Sequence, residues 1–289
     1  MQLTPGIFVG TTTFIVGSDK HAGKTTLLNY LIRPLRHEAP LVYLSVGLDG
    51  EGRDALSGVP KPHVVAEAGD WLVTAEQALR RSDVSAEIRE VFPFETVLGA
   101  PVLAHVVRGG PIELIGPGSN AALARILMHI VADAGIETVL VDGAINRITQ
   151  VAASTQAACV YVLRVDRAGL PRAIDAMRRL AYLQAVPVAM DDASDDATRV
   201  LDGALTTEKA GELDAGCRTL IVEDFSHVFL TYAELRNLQR RAELRFRRRV
   251  AMRAFVVNLY DVSRDEFLDR LTDTGIIDKV IFNPYQEVA

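Results

Sequence analysis

The sequence predicts an α/β fold: a mainly parallel sheet with helices on both faces. Three observations carry this. Compact apolar runs alternate with longer segments of helical period, the rhythm of strand–helix–strand units. The runs are short enough to be buried strands and are bounded by glycine and other turn residues. The chain has 289 residues, 49% of them hydrophobic and 24% charged, which suffices for a sizeable core without disulfide staples.

The elements follow in order. Residues 11–16 form the first predicted strand. Residues 24–36 form a helix with Leu27, Leu28, Leu31 and Leu35 on its apolar face. Residues 41–46 are the second strand. A helix over 119–134 stops at Gly135, and a strand over 137–141 follows. Residues 160–165 are a strand and 171–184 a helix; 219–222, 255–258 and 279–282 are further strands. Between about residues 50 and 118 the rhythm changes, with glycines, prolines and short apolar runs at 97–107 and 112–115. This segment reads as a partly antiparallel insertion on a single domain spanning 1–289. No internal repeat or low-complexity tract is present.

The net charge is −6. That balance argues against a general nucleic-acid binder. Cys159 and Cys217 each sit in or beside an apolar stretch and read as reduced core thiols. Two cysteines and scattered histidines do not make a metal cage. The N-terminus shows no secretory pattern, and the apolar stretches are too short to span a bilayer. A cytoplasmic protein without a membrane partner is expected; self-association into a homo-oligomer stays open.

The first strand runs into Gly17-Ser18-Asp19-Lys20-His21-Ala22-Gly23-Lys24-Thr25-Thr26, and a helix starts at once. This is the setting of a phosphate-binding loop. Small residues let backbone N–H groups turn toward phosphate oxygens, and the helix N-terminus adds favourable partial charge. Lys24 would reach the β- and γ-phosphates, and the Thr25 hydroxyl would hold magnesium. The strict pattern wants glycine at position 18, where this chain has Ser18. His21 would either touch the γ-phosphate or face solvent.

Glu137-Thr138-Val139-Leu140-Val141-Asp142 is an apolar strand ending in a carboxylate. Burial in the sheet would hold Asp142 at the strand's carboxyl end, near the loop, where it could accept magnesium or a magnesium-bound water. Lys24 and Asp142 are thus the candidate catalytic residues, with ATP and Mg2+ as cofactors. Asp49, in Gly47-Leu48-Asp49-Gly50-Glu51, reads equally as a turn residue. The glycine-rich stretch before Ser119 and Asn120 reads as a helix cap. Arg236, Arg240, Arg241, Arg245, Arg247, Arg248, Arg249 and Arg253 fall on a predicted amphipathic helix running into a strand. They read first as a solvated face and second as a docking surface for an acidic protein.

The Gly-x-Asp-x-x-x-Gly-Lys-Thr spacing resembles the loop of dethiobiotin synthetase and its relatives among the P-loop NTPases. It differs from the Lys-Gly-Gly form of partitioning ATPases, because Asp19 stands where they carry a lysine. The strand ending in Asp142-Gly143-Ala144 resembles that group's strand–Glu–Gly–Ala segment. The resemblance implies a metal role for Asp49, with Glu51 and Asp54 as rivals, and a nucleobase contact for Asn258. Asn258-Leu259-Tyr260-Asp261 lacks the lysine of the guanine-reading motif, which favours ATP over GTP.

Longer stretches resemble the smaller subunit of the proposed reactivase for cobalamin-dependent lysine 5,6-aminomutase and ornithine aminomutase. These are Val46-Gly47-Leu48-Asp49-Gly50-Glu51, Lys61-Pro62, Gly69-Asp70-Trp71-Leu72-Val73-Thr74-Ala75 and Glu113-Leu114-Ile115-Gly116-Pro117-Gly118, followed by Val141-Asp142-Gly143-Ala144-Ile145-Asn146-Arg147, Asp202-Gly203-Ala204-Leu205-Thr206 and Ile221-Val222-Glu223-Asp224. That resemblance implies a protein that uses ATP to reshape an aminomutase and release damaged cobalamin, with a companion resembling a mismatch-repair-type ATPase. The rival reading is a ligase or amidoligase of cofactor synthesis. Dethiobiotin synthetase carries lysines after its second strand, whereas Tyr43-Leu44-Ser45-Val46-Gly47 has none. A third reading is a nucleotide-gated binding module, since no residue is identified that would position an attacking water.

Overall fold

Strand β1 (Thr12–Gly17) lies inside a nine-stranded sheet and is buried from Thr12 through Val16. Covered on both faces, it reads as a continuous apolar run without two-residue alternation. The computed structural model describes residues 4–18, 22–46, 63–143, 157–189, 196–271 and 275–285.

After β1 come α1 (Lys24–Leu35) and β2 (Leu41–Ser45), then β3 (Val64–Ala66), β4 (Trp71–Ala75), α2 (Glu76–Arg81), β5 (Ser85–Val91), β6 (Pro101–Arg108) and β7 (Gly110–Ile112). Next are α3 (Asn120–Ala132), β8 (Thr138–Asp142), β9 (Ala157–Val165) and α4 (Leu170–Ala185). The remainder holds β10 (Thr198–Val200), α5 (Thr207–Gly211), β11 (Thr219–Val222), α6 (Tyr232–Gln239), β12 (Glu243–Phe246), β13 (Ala251–Leu259), α7 (Arg264–Asp269) and β14 (Val280–Phe282).

The large sheet has the order β14-β13-β9-β1-β8-β2-β4-β6-β5. Every neighbouring pair from β14 to β4 is parallel. Strands β6 and β5 close one edge with antiparallel pairings. The sheet is therefore mostly parallel but mixed. Helices cover both faces, as the alternating apolar pattern requires. Leu27, Leu28, Leu31, Ile32 and Leu35 of α1 pack with Ile15, Leu140, Val160 and Val256. Helices α3 and α4 bury Leu123, Ile126, Leu127, Ile174 and Met177 on the other side, with Phe14, Val16, Val139 and Val141.

Several details differ from the sequence pattern. The segment read as a partly antiparallel insertion does carry antiparallel strands on the core sheet, which it enters through β4, paired in parallel with β2. Its run at 97–107 becomes a strand only at Pro101, after a turn in which Thr96 N–H donates to Gly99 O at 3.0 Å. Its run at 112–115 leaves the ladder after Ile112. Thr74 Oγ1 holds it instead, donating to Glu113 O at 2.9 Å and accepting from Ile115 N at 3.0 Å.

The strand at 219–222 belongs to a second, three-stranded parallel sheet of order β10-β11-β12. Leu220, Val222, Leu244 and Phe246 turn its inner face into the main core. Both β9 and β13 begin earlier than expected, at Ala157 and Ala251. Their first residues lack a strong apolar run, but β1 and β13 recruit the start of β9 into the ladder, and β9 recruits the start of β13. Among the described residues, no helix is long and apolar enough to cross a membrane.

Candidate functional site

The site begins where β1 ends. Gly17 is the last residue of the strand, and a Cβ there would lie 3.1 Å from Lys24 Cγ and 3.3 Å from Ala22 Cβ. Lys24 therefore folds back across Gly17, and the missing side chain makes room for it. Ser18 occupies the position where the strict pattern has glycine. Its N–H donates to Val162 O at 3.0 Å, carrying the β1–β9 pairing one step further. It does not adopt a positive φ, so a side chain fits there. Gly23 does adopt one, at φ 100°, where a residue bearing Cβ is strained.

Helix α1 starts at Lys24 with no side-chain cap and no acidic residue in its first turn. Its first N–H groups are the ones a helix leaves for an outside acceptor. By contrast, Ser119 caps α3, accepting from Ala122 N at 3.2 Å. The glycine-rich approach to Ser119 thus serves a helix end. Thr26, beside Thr25, is exposed.

Strand β8 is hydrogen-bonded directly to β1 and to β2. Asp142 stands level with Ile15 on one side and Ser45 on the other. Two backbone bonds fix this end: Gly143 N–H donates to Ile15 O at 3.1 Å, and Val46 N–H donates to Asp142 O at 2.8 Å. Asp142 is thereby held at the carboxyl ends of three parallel strands. Thr25 Oγ1 donates to Asp142 Oδ2 at 3.0 Å. The two residues expected to share a metal ion are thus in direct contact. Both offer hard oxygen atoms, the donor type magnesium takes, with phosphate and water completing its shell. Among the described residues, no three His, Cys, Asp or Glu side chains converge on a metal-binding group.

Asn258, at the end of β13, is buried at 8% exposure. Its Nδ2 donates to Ala22 O at 3.0 Å, so its amide is engaged with the loop itself. Tyr285 is a neighbour that sequence reasoning missed. Its hydroxyl lies 3.5 Å from Gly23 O, and its ring meets Tyr30 of α1 edge-on at 5.7 Å. Burial pushes the Tyr285 phenol up, partly offset by a hydrogen bond from Asn258. A tyrosine 27 positions beyond Asn258 carries no local pattern that would have marked it.

Asp19, Lys20, His21, Asp49, Glu51 and Asp54 lie outside the described residues. The arginines of the basic stretch are exposed or half-exposed, as a solvated face requires, and several take partners at the surface. Arg241 donates to Leu213 O at 3.0 Å and Arg249 to Val186 O at 3.3 Å. Arg245 pairs with Glu243 at 3.1 Å, and Arg247 and Arg248 pair with Glu223 at 3.5 and 2.9 Å. Cys159 and Cys217 are free thiols.

Across protein-family models, curated proteins and solved structures, no match to this chain is found. The fold and the site define an α/β protein whose glycine-bearing turn, uncapped helix and Thr–Asp pair meet at the carboxyl edge of a mostly parallel sheet.

Proposed function

We propose that the chain binds ATP with Mg2+ at residues 17–26 and uses the bound nucleotide to act on a protein partner. The Thr25–Asp142 contact carries this reading. It unites a loop hydroxyl and a strand-end carboxylate at the head of a helix that has no cap of its own. In this reading the loop amides and Lys24 hold the phosphates, and Thr25 and Asp142 hold the ion. Catalysis then rests on positioning and charge neutralisation. As a P-loop NTPase it would fall beside the dethiobiotin synthetase group by its loop spacing.

Calorimetric titration of Mg2+–ATP into the wild type and Lys24→Ala tests the site. Loss of binding in the variant is expected, and binding retained at wild-type strength overturns the assignment.

The partner reading rests on the segments that resemble the small reactivase subunit of the cobalamin-dependent aminomutases. The absence of lysine over residues 43–47 weighs against ligase chemistry on a small substrate. ATP-dependent co-purification with an aminomutase and a mismatch-repair-type ATPase is the expected result. ATP turnover that requires a small carboxylate or amine would overturn it in favour of the ligase.

A further inference from the structure

We infer that Asn258 and Tyr285 are positioning residues for the phosphate site: Asn258 anchors the Ala22 carbonyl and Tyr285 flanks the Gly23 carbonyl, so that the Gly23 and Lys24 amides face the phosphates. The inference rests on the nucleotide-binding reading above, and assigns Asn258 to the loop rather than to the nucleobase.

The geometry is specific. A carbonyl acceptor can take only the nitrogen end of the Asn258 amide, so the 3.0 Å contact with Ala22 O fixes the side chain's orientation. A trans peptide points its C=O and N–H in opposite directions. Anchoring Ala22 O on Asn258 therefore aims the Gly23 N–H away from β13. One residue on, Gly23 O accepts from Leu27 N at 2.9 Å and lies 3.5 Å from the Tyr285 hydroxyl. The Gly23 backbone is thus held on both sides.

This arrangement also accounts for the glycine. A Cβ on Gly23 would come 3.0 Å from Asn258 Nδ2 and would push on it, while the positive φ strains any residue other than glycine there. The strap is itself supported. Asn283 Oδ1 accepts from Leu259 N at 2.8 Å and Asn283 N–H donates to Val257 O at 3.0 Å, tying the segment after β14 to the end of β13. Tyr30 seats the Tyr285 ring against α1.

The test compares Mg2+–ATP with Mg2+–tripolyphosphate, which has no base or ribose, by calorimetric titration of the full chain. Asn258→Ala should weaken both ligands by the same factor, about tenfold, the value of one well-placed hydrogen bond. Tyr285→Phe, which removes one oxygen, should weaken both by about threefold. If Asn258→Ala weakens ATP but leaves tripolyphosphate unchanged, Asn258 serves the nucleoside, and this inference is overturned while the nucleotide site stands. If the wild type binds neither ligand, both readings fall. Circular dichroism checks that the variants fold. Should Asn258→Ala not fold, Tyr285→Phe decides: unchanged affinity for both ligands overturns the inference.

Discussion

Thr25 and Asp142, 117 positions apart in sequence, meet at 3.0 Å, hydroxyl to carboxylate. One opens α1 and the other closes β8, so the contact exists only when both elements are in register. In the proposed reading, it makes a glycine-bearing turn a place where phosphate and a divalent cation would sit together.

Asp142→Asn separates the cation from the anion. The amide keeps an oxygen for Thr25 but removes the charge that favours a divalent ion. ATP affinity in the presence of Mg2+ should fall by about tenfold or more, while affinity measured with a chelator present should change little. An equal loss under both conditions would show that Asp142 acts on the fold and not on the ion.

Gly143 is the tightest point beside the site. A Cβ there would lie 2.1 Å from Val46 Cγ2. Gly143→Ala should therefore cost about 1–3 kcal/mol in urea unfolding, the range for overpacking a filled position. Val46→Ala removes the obstructing methyls, so the double variant should recover part of that loss. Strictly additive effects would refute the proposed collision.

At the far end of α1, Arg36 donates to Asp70 Oδ2 at 2.9 Å, and the Tyr43 hydroxyl donates to the same oxygen at 3.0 Å. Arg36 also reaches Glu67. Burial and the nearby Asp70 push the Tyr43 phenol up. Asp70→Ala leaves a buried guanidinium short of its carboxylate and should cost about 3–5 kcal/mol. Tyr43→Phe should cost about 1 kcal/mol. Denaturant midpoints at constant slope measure both.

Asp224 gives the fold a pH dependence. Its side chain is fully buried, and burial raises its pKa despite Ser226, which donates from both N–H and Oγ at 2.8 and 2.7 Å. Between the ordinary carboxylate value and the raised one, the folded chain holds a proton that the unfolded chain releases. The stability this contributes is complete below the ordinary carboxylate range and is lost as pH rises through the raised folded value. Asp224→Asn keeps an acceptor for Ser226 and cannot ionise. Urea unfolding at several pH values should show a flatter profile for the variant; an unchanged slope would rule Asp224 out as its source.

The elements along the parallel core were largely legible. Residues 24–36, 119–134 and 171–184 carry long helical periods, and their observed spans differ at the ends by one or two residues. The Thr25–Asp142 encounter was legible too, because a strand ending in a carboxylate is an ordinary companion to such a loop. The second sheet was not: β11 looks like another core strand, β12 lies in a stretch read as a basic amphipathic helix running into a strand, and only pairing places both apart from β13. The arginines from 241 to 249 read as a solvated face, and they are exposed or half-exposed; what spacing did not show is which surface partners they take, among them Glu223, Glu243 and two carbonyls. Long side chains choose partners by tertiary proximity, which spacing does not encode. Asn258 was legible as a strand-end residue, but its partner Ala22 lies 236 positions earlier, and nothing local to either residue announces the other.

That separation has a consequence for synthesis. The turn and its helix leave the ribosome well before the strand that steadies them, 236 positions later. Contacts so distant in sequence form late and slowly. In the proposed reading, the emerging chain carries a phosphate turn without its brace until β13 is made, and nucleotide can stabilise it by mass action only once β13 and β14 have closed the sheet.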